Sequence, residues 1–182
     1  METMNKPYIP LHIASYVIMR SNELGYEINN LKLQKILYFL QAEYLTESGK
    51  RLFDETMEKW KYGPVTPSVY HEYKTFGANA ILTEDIKTII RLPKGDEKPN
   101  FFNMFIKEDL EEIKIAEEDK QIVDDLLRKI GNEDAFSLVR ETHEHEIWQN
   151  DKGKILSGQL GIKYEDDEIA NYFKNSESRK KW

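Results

Sequence analysis

Apolar residues recur at helical spacing along most of the chain. Leu11, Ala14, Val17, Ile18 and Leu24 form one stripe, and Gly25 follows, which predicts a helix over residues 11–24 with a glycine end. Asn29 and Asn30 offer caps for a second helix from Leu31 to about Ser48, with Gly49 beyond it. Its apolar positions, from Leu31 and Leu33 through Ile36–Leu40 to Tyr44 and Leu45, cover most of the circumference. Such a helix belongs centrally in a core, with its polar residues at exposed edges. The short loop between the two makes a helical hairpin.

Residues 52–65 break this rhythm. Glu58, Trp60 and Tyr62 alternate with Lys59 and Lys61, a strand-like pattern that ends at a turn formed by Gly63 and Pro64. Thr66 and Pro67 read as a cap and a first-turn proline, opening a helix with Val69, Tyr70, Tyr73 and Phe76 on one face and Gly77 at its end. Ile86–Leu92 has strand character, residues 93–100 form a polar loop, and the three aromatics of Phe101–Ile106 are expected to dock back on the core. Residues 86–115 are thus read as an insertion or peripheral arm. Ile122, Val123, Leu126, Leu127 and Ile130 predict a helix over 117–130, acidic at its start and basic at its end. Asn132 is placed to cap another helix reaching about Glu144; Gly153, Gly158 and Gly161 mark irregular chain; Asp167–Lys174 closes the pattern as a short helix. The expected fold is mainly α with a small β element. It is a single helical domain over residues 1–175, with a central hydrophobic helix, a short hairpin or arm, and a frayed tail at 176–182.

A length of 182 residues suits one core, and 40% hydrophobic content supplies it. The absence of cysteine excludes disulfides, thiolate metal sites and a cysteine nucleophile. Net charge is −7, yet residues 1–80 are balanced, with 9 acidic and 9 basic side chains. Residues 108–125 alone carry 9 acidic and 2 basic. That distribution argues against a broad duplex nucleic-acid interface and would welcome a basic protein partner; a solvated acidic helix face is the plainer reading. The longest uncharged run, Pro7–Met19, is 13 residues, short of the roughly 20 a membrane helix needs. A cytoplasmic protein is expected.

Candidate chemistry is sparse. His143 and His145, within Glu141–Glu146, lie two apart, a spacing that points opposite ways on a helix instead of converging on a metal. Gly153–Gly158 has the spacing of a phosphate loop, but Gln159 and Leu160 stand where Lys and Ser or Thr are required. There is no nucleophile-elbow serine motif. No catalytic or metal residue is nominated and no cofactor is expected. Lys32, Gln34 and Lys35 interleave with core leucines as in a recognition helix, without the second basic patch that DNA binding demands. The aromatics Trp60, Tyr62, Tyr70, Tyr73 and Phe76 suit either a core or a binding anchor.

Together, LKLQKILYFLQAEYL at 31–45, the segment 52–77 with its Trp60-x-Tyr62-Gly63-Pro64-Val65 turn, and LVRETHEHEIW at 138–148 resemble the SocA/GepA-like, or Panacea-domain, family. The resemblance is carried by Leu31–Lys35, Trp60, Tyr62–Val65, Tyr70, Thr142, His143 and Trp148. The 86–115 segment is longer and more aromatic than the family pattern, and no helix-turn-helix is appended. The resemblance implies an antitoxin of a bacterial or phage toxin–antitoxin pair, not an enzyme. It would neutralise a co-encoded toxin, such as a small-alarmone-synthetase-like translation inhibitor, by direct binding. Delivery of the toxin to the ClpXP protease is the alternative, and an enzyme reversing a toxin's modification a more distant one. Partner-binding residues are expected among Lys32, Gln34, Lys35, Trp60, Tyr62, Gly63, Pro64, Tyr70, Tyr73, His143 and Trp148.

Overall fold

The computed structural model describes residues 7–98, 104–175 and 180–182. Helix α1 (Pro10–Glu23) and helix α2 (Asn30–Ser48) match the two stripes, and α2 is closed at both ends as its sequence suggests. The Asn29 side chain accepts from the Lys32 amide at 2.9 Å, and Gly49 takes the left-handed conformation that ends the helix. Around α2 pack α1, α3 (Pro67–Tyr73), α4 (Glu117–Ile130), α5 (Ala135–Glu144), α8 (Asp166–Lys174) and a short hairpin. Enclosure on every side buries the whole stretch Leu33–Leu40.

The polar edges of α2 are therefore not exposed as expected. Lys32, Gln34, Lys35 and Gln41 are buried because each polar head meets a backbone group brought over by a neighbouring segment. Gln41 accepts from the Leu52 and Phe53 amides at 2.9 and 3.2 Å and donates to the Phe53 carbonyl at 3.1 Å. Lys32 Nζ donates to the carbonyls of Glu27 (2.9 Å) and Gly131. Gly131 must lack a side chain: a Cβ there would lie 2.4 Å from the Tyr26 ring.

The small β element is a hairpin of β1 (Glu58–Trp60) and β2 (Gly63–Val65), with Trp60 opposite Gly63. Gly63 and Pro64 are not its turn. Lys61 and Tyr62 form the turn, and Gly63 begins the returning strand. A second antiparallel pair, β3 (Thr88–Arg91) and β4 (Ile106–Asp109), builds the arm within residues 86–115. Ile86, Ile89 and Ile115 root it in the core. His12 on α1 bonds Glu108 at 2.7 Å, and Glu108 in turn pairs with Arg91 at 2.9 Å. Phe105, expected to dock, is exposed, and Phe101 and Phe102 lie outside the described residues.

The cap of α5 is Asp134, not Asn132. Its carboxylate accepts from the amides of Phe136 and Ser137, both at 3.0 Å. Between α5 and α8 the chain forms two short helices, α6 (Glu146–Gln149) and α7 (Lys152–Leu156), the second running through Gly153 where irregular chain was expected. Lys181 and Trp182, in the tail expected to fray, contact the helical body. The Trp182 ring sits 5.2 Å from Phe173, its indole donates to Glu47, and Lys181 pairs with Glu141 at 2.7 Å. Residues 176–179 lie outside the described chain. Among the described residues, no helix is long and apolar enough to cross a membrane.

Candidate functional site: a clamped hairpin and the groove beside it

The three sequence blocks that carry the family pattern, far apart along the chain, close on one structure. From below, α2 pins the β1–β2 hairpin and the segment after it. Lys35 Nζ donates to the Pro64 carbonyl at 3.0 Å. Gln34 accepts from the Thr66 amide at 2.8 Å and donates to Asn30 Oδ1 at 2.9 Å, while Asn30 donates to the Tyr70 carbonyl at 3.1 Å. Alternating polar and apolar residues on α2 thus let one helix turn both fill the core and peg α3 and β2.

From above, α5 and α6 close the clamp. The Trp148 indole donates to the Trp60 carbonyl at 3.1 Å, and His143 Nε2 lies 3.0 Å from the Lys61 carbonyl. A carbonyl only accepts, so the His143 proton resides on Nε2. The His143 and Trp148 rings stack at 4.0 Å between centroids, 20° apart. Burial holds His143 below the usual histidine pKa, and the charges of Lys35 and Lys152 act the same way, against the bond to Lys61. His145 faces elsewhere: its Nδ1 is 3.0 Å from the Tyr38 hydroxyl in the core. The two histidines serve different partners and do not converge on a metal. No cluster of three or more metal-ligating side chains occurs among the described residues.

Where the clamp is tightest, only glycine fits. Gly63 has φ +93°, and a Cβ on it would lie 2.6 Å from Thr142 Oγ1 and 3.0 Å from Lys35 Cε. Lys35 beneath it is fully buried, and desolvation lowers its pKa to about 7. Among the described residues its polar partner is the Pro64 carbonyl.

Of the residues expected to meet a partner, Lys32, Gln34, Lys35, Tyr73 and Trp148 are buried and occupied with internal contacts, as are Gly63 and Pro64. Trp60, Tyr62 and Tyr70 reach the surface, with His143 half-buried behind them. Trp60 and Tyr70 meet edge to face at 4.8 Å, and the Trp60 indole is held by Glu58 at 2.8 Å. Tyr62 projects from the hairpin turn, 52% exposed. Across from them Phe136, 58% exposed, rises from the first turn of α5. These rings border a groove of about 350 Å³ whose base includes Leu31, Gln34 and Val65. Phe136, Lys61 and Lys74 were missed as site residues. The signal for Phe136 was its place in the first turn of α5, to one side of the stripe formed by Leu138, Val139 and Thr142.

The architecture is that of a mainly α module in which the residues of the three sequence blocks build a clamped hairpin and an aromatic groove. The chain belongs to the SocA-like antitoxin family: the Antitoxin SocA-like, Panacea domain family matches residues 33–149, which include most of α2, the hairpin, and α5 and α6 above it. A curated relative, Antitoxin SocA from Caulobacter vibrioides, is 36% identical over 75 residues. That match spans 41% of this chain and about 40% of the relative's length. No solved structure matches the chain.

Proposed function

We propose that this chain is a cytoplasmic antitoxin that neutralises a co-encoded toxin by stoichiometric contact, through the face formed by the hairpin turn and the groove. The supporting observation is that the family match, over residues 33–149, spans the hairpin, its clamp from α5 and α6, and most of the groove lining. The motif's buried part rigidifies the hairpin, and rigidity lowers the entropic cost of binding. The exposed part is aromatic, the residue class in which binding energy concentrates. A small-alarmone-synthetase-like translation inhibitor is the toxin class that the family resemblance suggests. Binding is favoured over catalysis at His143, whose ring is engaged with Lys61 and Trp148.

Co-expression with the product of the neighbouring gene tests the proposal. Growth arrest by that product, relieved by this chain and accompanied by a co-purifying complex, is the expected result. Relief that disappears in cells lacking ClpXP would assign the chain to the adaptor role instead, and failure of any adjacent product to arrest growth would remove the proposal. His143→Ala protein that is folded should retain partial neutralisation, whereas an enzyme dependent on His143 would lose all of it.

A further inference from the structure

We propose that the groove takes an acidic peptide segment of the partner carrying a bulky apolar side chain, with the apolar group between the Trp60–Tyr70 pair and Phe136 and its flanking carboxylates on Lys61 and Lys74. The inference rests on the binding reading above and names the chemistry of the segment bound.

Three features of the groove converge on this occupant. Its lining contains two lysines and no carboxylate, in a chain with 33 acidic side chains and a net charge of −7. Neither Lys61 nor Lys74 has an ion pair among the described residues; the Lys61 ammonium merely overlies the Tyr62 ring at 5.8 Å. Lys59, by contrast, pairs with Asp151 and Glu168, and Lys181 with Glu133 and Glu141. Two unpaired cations beside one apolar cleft are the complement of a segment bearing carboxylates.

The polar groups of the groove base are already satisfied. Gln34 and Asn30 bond to each other and to the Thr66 amide and Tyr70 carbonyl, and the Trp60 indole to Glu58. An occupant therefore gains little from polar contacts in the base and most from burying an apolar side chain against rings. A volume of about 350 Å³ suits one or two large side chains and not a whole helix face. Finally, the first turn of α2 borders the groove through Asn29, Asn30 and Leu31, so the positive end of a 19-residue helix adds to the potential of the two lysines.

The test needs no toxin. ¹⁵N-labelled full-length chain is titrated with the capped peptides EDFLED, KRFLKR and EDAAED, reading the Trp60 indole and Ala78 amide signals. EDFLED is expected to shift both and to bind at least tenfold more tightly than either of the others. Lys61→Glu with Lys74→Glu should reverse the preference toward KRFLKR. Both lysines are exposed, so folding is unaffected, which circular dichroism checks. Ile90→Glu, on the arm, should leave binding unchanged. Equal binding of EDFLED and KRFLKR, absence of any Trp60 shift at millimolar peptide, or an unaltered preference in the double variant would each overturn the inference. Its failure is separable from failure of the antitoxin reading. Growth rescue by the wild-type chain decides the latter, and equal rescue by Lys61→Glu/Lys74→Glu places the toxin off this groove while leaving neutralisation intact.

Discussion

Lys35 is a charge-capable group sealed in the core with a carbonyl for company, and its titration should be visible in stability. Its pKa is about 7 in the folded chain against an ordinary 10.5. Between those values the unfolded chain holds a proton that the folded chain lacks. Stability therefore rises with pH across that window, and the cost of burying the ammonium is fully present below it. One proton corresponds to a slope of about 1.4 kcal/mol per pH unit. Urea unfolding from pH 7 to 10 should show this rise in the wild type and lose it in Lys35→Met; equal slopes would mean the ammonium keeps its charge in the core. At Gly63 the expectation is steric. Gly63→Ala should cost about 2–3 kcal/mol, because a left-handed φ and a 2.6 Å approach to Thr142 Oγ1 coincide. Thr142→Ala in the same chain should return only part of that loss, since it removes the contact and not the φ strain.

At the level of elements, the groove depends on how α5 begins. Asp134 caps α5 through two amide bonds, one from Phe136 itself, so the cap also sets where the Phe136 ring stands. Asp134→Ala should lower the urea midpoint and weaken binding in the groove. A variant that loses stability yet binds the acidic peptide as before would show that Phe136 is not a wall of the site. The hairpin is held from both sides, and from above by the Trp148 indole on Trp60 and His143 on Lys61. Trp148→Phe removes the donor to the Trp60 carbonyl and shrinks the stacking surface under His143, at a cost of about 1–3 kcal/mol. Hydrogen exchange should then accelerate at the β1–β2 amides before it does in α2.

On the scale of the whole molecule, the acidic surplus of residues 108–125 is partly structural. Glu108 serves Arg91 and His12, Asp119 accepts from the Tyr8 hydroxyl at 2.6 Å, and Asp124 pairs with Arg20 at 2.7 Å. Arg20 and Arg91 hold the Asp124 and Glu108 carboxyls below their ordinary values, so this part of stability is present at neutral pH and fades as pH falls through the carboxylate range. Glu111, Glu112 and Glu118 stay exposed, and none of residues 108–125 lines the groove. Changing these three to Gln should speed association with an acidic segment at low salt, by weakening long-range repulsion, and the gain should vanish at high salt. Stopped-flow rates that fall instead would point to a basic partner steered by this stretch.

Helix stripes, glycine ends and the Asn29 cap were legible because period and capping chemistry are local. The mainly α class and the antitoxin family followed from them and from the motif residues. Which motif residues face outward was not legible. Lys32, Gln34 and Lys35 look exposed in any helical projection, and they are buried only because the hairpin, α3, α4 and α5 arrive from distant parts of the chain. The turn at Lys61 and Tyr62, in place of Gly63 and Pro64, was hidden for a related reason: Gly63 follows the turn with a φ of +93° and is also required by the approach of Thr142, 79 residues later. The sequence by itself determined the elements and the family, since both are written in short-range patterns. Only tertiary packing decided the groove, because its walls come from three segments whose meeting depends on what α2 can bury.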